Sequence, residues 1–385
     1  MRIVVIGAGG IGGWLGARLA ASGQQVGFLV HDRTLAALRS GGLTLRDCSR
    51  GDPGTVTARI ETPLASEDPQ ALNDALGGEP DLVLVTTKVD ALPQLASALR
   101  VLTGPETGVV STQNGISAHE LLADAVGKEH VLPGVARVYS AITSPGDVRT
   151  IGNAGSLALG EWDGSTTARS RAAARALEAA GIRAWIPVSI WAELWRKVSF
   201  VVVQGSLGAA TNAPIGVLRS DLRDAFTRAV GEVVAVAAAL GHDLATDDAP
   251  DPVAAALRMA DAQPAGATTS MQRDIASGLP SELDAQLGAL CRAGDEAGVP
   301  TPVLDLALSV LAPREAASRS GACARSPSRR RWEGRRPAED FSPGLAATSA
   351  VSRHGWARPC LRAGARWAPP GDMVPGGPRM GPWRR

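Results

Sequence analysis

The feature that most constrains this chain is a short apolar run followed at once by closely spaced glycines. Residues 3–6 are all Ile or Val, which is typical of a strand buried on both faces of a parallel sheet. Gly7, Gly9 and Gly12 come next, and residues 14–22 then follow a helical pattern. This order of strand, glycine turn and helix is the one that a dinucleotide-binding fold requires.

Each glycine of this turn has a separate expected role. Gly7 permits the tight turn, Gly9 lets the backbone approach a pyrophosphate, and Gly12 lets the helix pack closely on the strand. Gly10 is counted with them as a cofactor contact, because the free N–H groups and positive dipole of a helix N-terminus favour phosphates. The sequence therefore predicts an α/β Rossmann domain at the N-terminus. The alternative is a glycine-rich turn with a purely structural role.

The residues after the second predicted strand, 26–30, bear on which dinucleotide is bound. An acidic residue at this point usually binds the ribose of NAD, whereas basic residues face the 2′-phosphate of NADP. This chain has Asp32 between His31 and Arg33. The two basic residues favour NADPH, and the alternative is that all three are solvated loop charges.

Two further strand ends carry polar residues. Lys88 follows the predicted strand 81–87, and Asn114 follows the predicted strand 108–112. Ligands bind beyond the carboxyl ends of the strands in an open α/β sheet. We therefore expect Lys88 to reach a cofactor phosphate or ribose, and Asn114 to bridge the nicotinamide end of the cofactor and a substrate. The alternatives are an exposed lysine at a helix start and a simple Asn-Gly turn.

Lys197 is one of only three lysines in the chain, the remaining positive charge being arginine. Glu193, four residues earlier on a predicted helix, offers a surface ion pair as the ordinary explanation. The apolar residues around Lys197, among them Trp195, indicate instead that this helix is substantially buried. A buried lysine has a lowered pKa, and a lysine with a lowered pKa is suited to proton transfer.

Composition excludes several classes of protein. A chain of 385 residues is long enough for two domains, and its formal net charge of +1 gives no overall attraction to nucleic acid. The four cysteines show no paired spacing, so we expect reduced thiols and no metal site. We see neither a cleavable N-terminal signal nor an apolar run that could span a bilayer. The expected location is the cytoplasm, without membrane partners.

Several short motifs, taken in order, resemble those of the ketopantoate reductase family over residues 1–312. They are the glycine turn, Lys88 after a Thr-Thr strand end, Gln-Asn-Gly at 113–115, Glu-Leu-Trp-Arg-Lys at 193–197, Ser-Met-Gln-Arg-Asp at 270–274 and Ser-Glu-Leu-Asp at 281–284. The resemblance implies a Rossmann domain at 1–187 that binds NADPH. It also implies an all-α domain at 188–312, like the C-terminal domain of 6-phosphogluconate dehydrogenase, with the substrate held between the two.

The family reduces 2-dehydropantoate (ketopantoate) to pantoate for coenzyme A biosynthesis, and its functional residues can be carried over by motif. Lys197 matches the general acid that protonates the developing alkoxide. Glu282 matches the acidic residue near the nicotinamide and the substrate hydroxyl, and Ser270 matches a serine that binds the substrate carboxylate. Lys88 and Asn114 match cofactor contacts. The resemblance leaves a homodimer open.

The chain also departs from the family pattern. Val201 and Gly205 stand where the best-known branch carries substrate-binding asparagines, and His31 replaces the usual arginine. Two alternatives therefore stay open: a reductase of another 2-oxo acid on the same fold, and a noncatalytic NADP-binding sensor.

Residues 313–385 differ in composition from the rest of the chain. They are rich in Arg, Pro and Gly, contain no lysine and show no periodicity beyond Leu311, so we expect no independent fold. Three origins are compatible with this composition: a basic tail that binds RNA or an anionic surface, a disordered extension, and a frameshifted or read-through product. We favour the last and assign these residues no function.

Overall fold

The computed structural model describes residues 1–51, 53–151 and 155–320, and these residues all fall within one compact unit. Its strands are β1 Arg2–Ile6, β2 Gln25–Leu29, β3 Leu43–Asp47, β4 Thr55–Ile60, β5 Leu64–Ser66, β6 Leu82–Val85, β7 Gly108–Ser111, β8 Val131–Leu132, β9 Gly134–Arg137, β10 Ser140–Ser144, β11 Asp147–Thr150, β12 Ser156–Leu159 and β13 Arg183–Trp185. Its α-helices are α1 Gly10–Ala21, α2 Asp32–Gly41, α3 Pro69–Leu76, α4 Leu92–Leu102, α5 Ala118–Val126, α6 Ala168–Ala179, α7 Ile190–Thr211, α8 Ile215–Leu218, α9 Arg223–Ala239, α10 Pro252–Ala262, α11 Ser270–Ala276, α12 Ala289–Ala297 and α13 Pro302–Arg319.

A six-stranded parallel sheet organises the first half, in the order β5-β2-β1-β6-β7-β8. Ile6 at the end of β1 lies in register with Leu29 on one side and Val85 on the other. Apolar cores cover both faces of β1, which is why its predicted pattern is continuous rather than alternating. Strands β2 and β5 lie on one side of β1, whereas β6, β7 and β8 lie on the other, so the strand order reverses between β1 and β6. A ligand crevice is expected beyond the carboxyl ends of these two strands.

Two smaller sheets continue this half. One has four strands in the order β10-β11-β3-β4, and the other has three in the order β13-β12-β9. The three-stranded sheet has two differently packed faces. Ala136 and Leu157 belong to the core of the parallel sheet, whereas Val135 and Ala158 belong to the helical core. This sheet therefore joins the two halves of the molecule.

The second half is helical and is arranged around α7, a helix of 22 residues. Ser189 caps its N-terminus by accepting a hydrogen bond from the N–H of Ala192, and Asn212 ends it in the left-handed conformation. Helices α9, α10, α11 and α13 pack against α7, with fully buried side chains such as Phe226 and Leu304 between them. The predicted fold class, a Rossmann domain followed by an all-α domain, is confirmed. The boundary predicted at residue 187 falls between β13 and α7 and stays a prediction.

The last helix corrects one expectation about the C-terminal segment. The sequence predicted that periodic structure ends at Leu311, but α13 continues to Arg319. Glu315 explains the difference, because its carboxylate is buried, accepts hydrogen bonds from Ser281 and pairs with Arg319 one turn later. Residues 321–385, on which most of the tail prediction rests, lie outside the described residues.

No helix within the described ranges is long and apolar enough to cross a membrane. The same residues hold no group of three or more His, Cys, Asp or Glu side chains that could bind a metal ion.

Candidate active site

At two positions, the glycine turn between β1 and α1 accommodates only glycine. Gly7 has a φ of +89°, in the left-handed region. A Cβ atom added at Gly12 would lie 2.0 Å from the carbonyl oxygen of Gly7 and 2.3 Å from Thr86 Oγ1. A Cβ atom at Gly9 would meet nothing within 4 Å. The turn therefore packs tightly at Gly12 and leaves open space at Gly9, where a pyrophosphate would need to approach.

Polar groups after β6 and at the start of β10 lie close to this turn. Thr86 Oγ1 donates hydrogen bonds to the carbonyl oxygens of Ile6, at 2.8 Å, and Gly7, at 2.9 Å. Thr87 Oγ1 is buried and has no partner among the described residues. Gly10 lies against Ser140, whose Oγ would be 2.9 Å from a Cβ atom added at Gly10. The open helix N-terminus and the unpaired hydroxyl fit the phosphates and ribose of a dinucleotide.

His31, Asp32 and Arg33 follow β2, at the same edge of the sheet as the glycine turn. All three are exposed. His31 precedes α2 in an extended conformation, and Asp32 has a φ of +46°, which is uncommon for a residue other than glycine. Two basic side chains and one carboxylate are thus open to a ligand at this edge. The contacts of these three residues therefore do not indicate whether a basic side chain or the carboxylate would face a bound dinucleotide.

Lys197 is buried in α7, with 6% of its surface exposed. The alternative of a surface ion pair between Glu193 and Lys197 is wrong. The two carboxylate oxygens of Glu193 instead pair with Arg137, at 2.8 Å, and with Arg196, at 3.2 Å. None of the described residues forms a hydrogen bond or an ion pair with the Lys197 ammonium, so its protons remain available to a ligand.

The surroundings of Lys197 move its pKa into the physiological range. Burial, and then the nearby guanidinium of Arg137, lower the pKa to about 7, against the opposing effect of the Glu282 carboxylate. Near neutral pH both the ammonium and the amine forms are therefore populated. A group in this state can donate a proton and be reprotonated within a catalytic cycle.

His119 is a neighbour of Lys197 that the sequence did not single out. It is fully buried at the start of α5, and its Nδ1 lies 2.8 Å from Ser111 Oγ. Its Nε2 has no partner in the described part of the chain, and its ring contacts the edge of Trp191. Burial, and then the charge of Lys197, lower the pKa of His119 to about 4. The imidazole is therefore neutral and adds no charge beside the lysine.

Glu282 lies in the turn that enters the helix of residues 283–297. One carboxylate oxygen accepts a hydrogen bond from the N–H of Val89 at 3.0 Å, and the other accepts one from Gln286 at 3.3 Å. Burial raises its pKa, opposed by the Val89 N–H and by Lys88. Because Glu282 also acts electrostatically on Lys197, the structure brings these two predicted catalytic residues into one site.

Lys88 lies just beyond β6, as predicted, and its ammonium makes hydrogen bonds to the helical half of the molecule. It donates hydrogen bonds to Asp274 Oδ2 at 2.9 Å and to the carbonyl oxygen of Pro280 at 3.0 Å. Arg319 makes a parallel link from α13 to Asp90. Lys88 therefore reaches the helical half beside Glu282, with half of its side chain still exposed.

Asn114 is held at the carboxyl end of β7 by its neighbours in the chain. The side chain of Gln113 donates hydrogen bonds to the carbonyl oxygens of Val85, at 3.1 Å, and Thr87, at 3.0 Å. On the other side, Gly115 has a φ of +97° and abuts the carbonyl oxygen of Ala285. Asn114 is partly buried and makes no hydrogen bond to another described residue. These contacts hold the backbone on either side of Asn114, and its side-chain amide remains available to a ligand.

Ser270 is the exposed first residue of α11. The residues around it explain the two departures in α7. A Cβ atom at Gly205 would come within 2.8 Å of Thr269 Oγ1 and 3.0 Å of Met271 Cε, and Val201 packs against the helical core. An asparagine at position 205 therefore has little room. Among the described residues, no hydrogen bond joins Ser270 to Lys197.

Comparison with known proteins gives a consistent result. A family model described as ketopantoate reductase PanE/ApbA matches residues 3–164, and one described as ketopantoate reductase PanE/ApbA C terminal matches residues 189–315. A 2-dehydropantoate 2-reductase of Caulobacter vibrioides is 30% identical over 314 residues, which cover 80% of this chain and 97% of the relative.

Two solved structures extend the comparison to the fold. The 2-dehydropantoate 2-reductase of Geobacter metallireducens has a TM-score of 0.72 and 27% identity, covering 81% of this chain and 99% of that one. A D-mandelate dehydrogenase, whose ternary structure contains NADH and anilino(oxo)acetate, has a TM-score of 0.72 at 23% identity and covers 83% of this chain and 99% of that one. The second likeness is one of fold.

Proposed function

The chain belongs to the ketopantoate reductase family, and we propose that it is an NADPH-dependent reductase of a 2-oxo acid, with 2-dehydropantoate (ketopantoate) as the first candidate substrate. It is an oxidoreductase on the evidence of the family as a whole. The reductases of Caulobacter and Geobacter, with which it shares nearly their full length, support the choice of substrate. With ketopantoate as substrate, the product is (R)-pantoate, and the reaction belongs to pantothenate and coenzyme A biosynthesis in the cytoplasm.

The observation that carries this proposal is the state of Lys197. It is a buried lysine without an ion-pair partner among the described residues, and its pKa is about 7. When C2 of a 2-oxo acid is reduced, negative charge develops on the carbonyl oxygen. An ammonium of this acidity stabilises that charge and protonates the alkoxide at neutral pH. Lys197 is therefore assigned as the general acid.

The remaining predicted residues divide between cofactor and substrate. Bound NADPH supplies the hydride to C2. We assign its phosphates and adenosine end to the glycine turn and the two basic residues after β2, and its ribose and nicotinamide to the residues beyond β6 and β7. Glu282, from the helical half, is assigned to the nicotinamide end as well. The residues assigned to the cofactor are therefore Gly7, Gly9, Gly10, Gly12, His31, Arg33, Lys88, Asn114 and Glu282.

Glu282 and Ser270 complete the substrate side of the site. The carboxylate of Glu282 is oriented by the Val89 N–H and is electrostatically coupled to Lys197, so it is suited to accept a hydrogen bond from a substrate hydroxyl. The hydroxyl of Ser270 is exposed and free to donate to a carboxylate, and Asn114 offers an amide. We keep residues 1–187 as the cofactor domain and extend the helical domain from 188 to Arg319.

A second candidate is the reduction of a different 2-oxo acid by the same machinery. It is favoured by Gly205, where Thr269 and Met271 leave little room for the asparagine that the resemblance leads one to expect. A substrate without the hydroxyl group of ketopantoate needs fewer polar partners on α7. The D-mandelate dehydrogenase of the same fold shows that an aromatic 2-oxo acid analogue can occupy such a site in that protein.

The test is a steady-state assay of NADPH oxidation by the full-length chain with ketopantoate, pyruvate and phenylglyoxylate as separate substrates, repeated with NADH. A much higher kcat/KM for ketopantoate than for the other acids would support the first candidate. A preference for another acid would select the second. NADPH binding without turnover of any acid would contradict both and leave the noncatalytic sensor.

A further inference from the structure

Arg137 occupies the last position of β9, on the face of the three-stranded sheet that packs against α7. Val135, two residues earlier on the same face, belongs to the helical core, as does Ala158 of β12. Arg137 is in register with Ser156, which is in turn in register with Arg183 of β13. Because Arg137 shares this face with Val135 and Ala158, its side chain points toward α7, the helix that carries Lys197.

The guanidinium of Arg137 is held in place by two contacts. Its Nη1 lies 2.8 Å from Glu193 Oε1, and its Cζ lies 6.0 Å from the centre of the Trp185 ring. Glu193 is itself only 14% exposed and is shared with Arg196, which also donates to the carbonyl oxygen of Leu244. These contacts fix the fork of Arg137 and occupy one of its nitrogens. The described residues offer no partner to Nε or Nη2.

The site consequently has an excess of positive charge. Two cations, Arg137 and Arg196, share the carboxylate of Glu193, and Lys197 lies one turn of α7 after Glu193. Glu282 is the other acidic group near Lys197, and His119 is neutral. Because Arg137 pairs with Glu193, one helical turn before Lys197, its guanidinium lies close enough to Lys197 to lower the pKa of the lysine. An anion between them would relieve their repulsion.

We propose that Arg137 binds the carboxylate of the 2-oxo acid and thereby orients the C2 carbonyl toward Lys197. The inference rests on the proposed function and adds the group that recognises the acid. Guanidinium and carboxylate match as a planar, two-point pair, and the positions of Nε and Nη2 on one edge of the fork suit this geometry. The Arg137 side chain is 31% exposed, so part of it is open to a ligand.

The altered positions on α7 are consistent with this assignment. Val201 and Gly205 supply no polar group, and Gly205 is closely covered by Thr269 and Met271. A small acid therefore needs an anchor from outside α7. Arg137 on β9 provides a charged one, which selects for the carboxylate group itself rather than for the rest of the substrate. Substrates that share the 2-oxo acid group should accordingly bind through a common contact.

The experiment compares oxamate, an unreactive 2-oxo acid analogue, with its uncharged methyl ester by isothermal titration of the full-length protein in the presence of NADPH. Arg137→Gln is expected to weaken oxamate binding by about 30-fold or more and to leave ester binding unchanged, because loss of a buried charge partner is costly. Arg137→Lys should be intermediate. The matched control is Arg183→Gln, which removes the other arginine over the Trp185 ring, at 5.3 Å, and should leave oxamate binding unchanged.

A second readout tests whether Arg137 lies beside Lys197 in the working enzyme. Removing the Arg137 cation raises the pKa of Lys197, so the pH at which the reduction rate falls should move upward in Arg137→Gln and stay in place in Arg183→Gln. Thermal unfolding of each variant checks that the fold is kept.

The outcomes separate this inference from the proposed function. Equal oxamate affinity in wild type and Arg137→Gln, in a protein that reduces a 2-oxo acid, overturns the anchor and leaves the reductase standing. Loss of oxamate binding in Arg137→Gln, in a protein that reduces no acid, supports the anchor and removes the reductase. Failure of the wild type to bind oxamate overturns the anchor.

Discussion

Replacing Glu315 of α13 by alanine is expected to destabilise the protein strongly, because its carboxylate is buried and hydrogen-bonded. One of its oxygens lies 3.0 Å from the N–H of Ser281, and the other lies 2.6 Å from Ser281 Oγ. Arg319 adds a third contact from its Nε at 2.7 Å. Ser281 is 1% exposed and Glu315 is 8% exposed, so water has little access to replace these bonds.

The size of the effect follows from these contacts. Truncation leaves the N–H and O–H of Ser281 buried without an acceptor, at a cost of about 1–3 kcal/mol for each unsatisfied group. The exposed pair with Arg319 contributes about 0–1 kcal/mol. The free energy of unfolding should therefore fall by about 2–7 kcal/mol in Glu315→Ala. Glu315→Gln keeps one acceptor oxygen and should lose about half as much.

The assay is urea-induced unfolding followed by tryptophan fluorescence, with Glu296→Ala on the exposed face of α12 as the control. Because Ser281 precedes Glu282, we also expect Glu315→Ala to lower kcat while the control leaves it unchanged. A loss of less than about 1 kcal/mol in Glu315→Ala would show that the buried network is not satisfied by this carboxylate, and would refute the reasoning.

Three further predictions concern the site itself. Because Lys197 is protonated below its pKa of about 7, kcat/KM for reduction should fall as the pH rises through that value. The kcat/KM of the reverse oxidation should rise over the same range. Parallel pH profiles of the two reactions would check both. Gly12→Ala would place a Cβ atom 2.0 Å from the Gly7 carbonyl oxygen and should lower the thermal midpoint, whereas Gly9→Ala meets no protein atom and should weaken NADPH binding alone. A fall in stability for Gly9→Ala would count against this division. Gly205→Asn should destabilise the protein by about 1–3 kcal/mol without improving KM for ketopantoate, as measured by thermal unfolding and steady-state kinetics; a lower KM would contradict it.

Much of the Rossmann half was predictable because its signals are local. The run at residues 3–6, the glycines and the following helix lie next to one another in the chain, and the structure has β1 and α1 at these positions. The predicted strands before Lys88 and Asn114 are also present, each shorter than predicted at its carboxyl end. Burial of Lys197 followed from its apolar neighbours.

The contacts that distinguish this protein were not predictable from local pattern. Arg137 lies in a glycine-punctuated stretch whose strands give no sign of facing α7, so the sequence offers only Lys197 as an alternative partner for Glu193, and its pairing with Arg137 is not predictable. The extent of α13 depends on a bond from Glu315 to Ser281, residues distant in sequence. His119 carried no motif, although its position after the Asn-Gly turn could have marked it. Long-range partners of this kind are set by the fold and not by neighbouring residues.

The most direct test of the central claim is the rate of hydride transfer in a single turnover, measured by stopped-flow NADPH absorbance with saturating ketopantoate for wild type and Lys197→Met. Methionine keeps the length of the side chain in its apolar surroundings and removes the proton. We expect hydride transfer to slow by about 10²–10⁴-fold in Lys197→Met while the Kd for NADPH is unchanged. An unchanged rate in Lys197→Met, with the wild type active, would contradict the assignment of Lys197 as the proton donor.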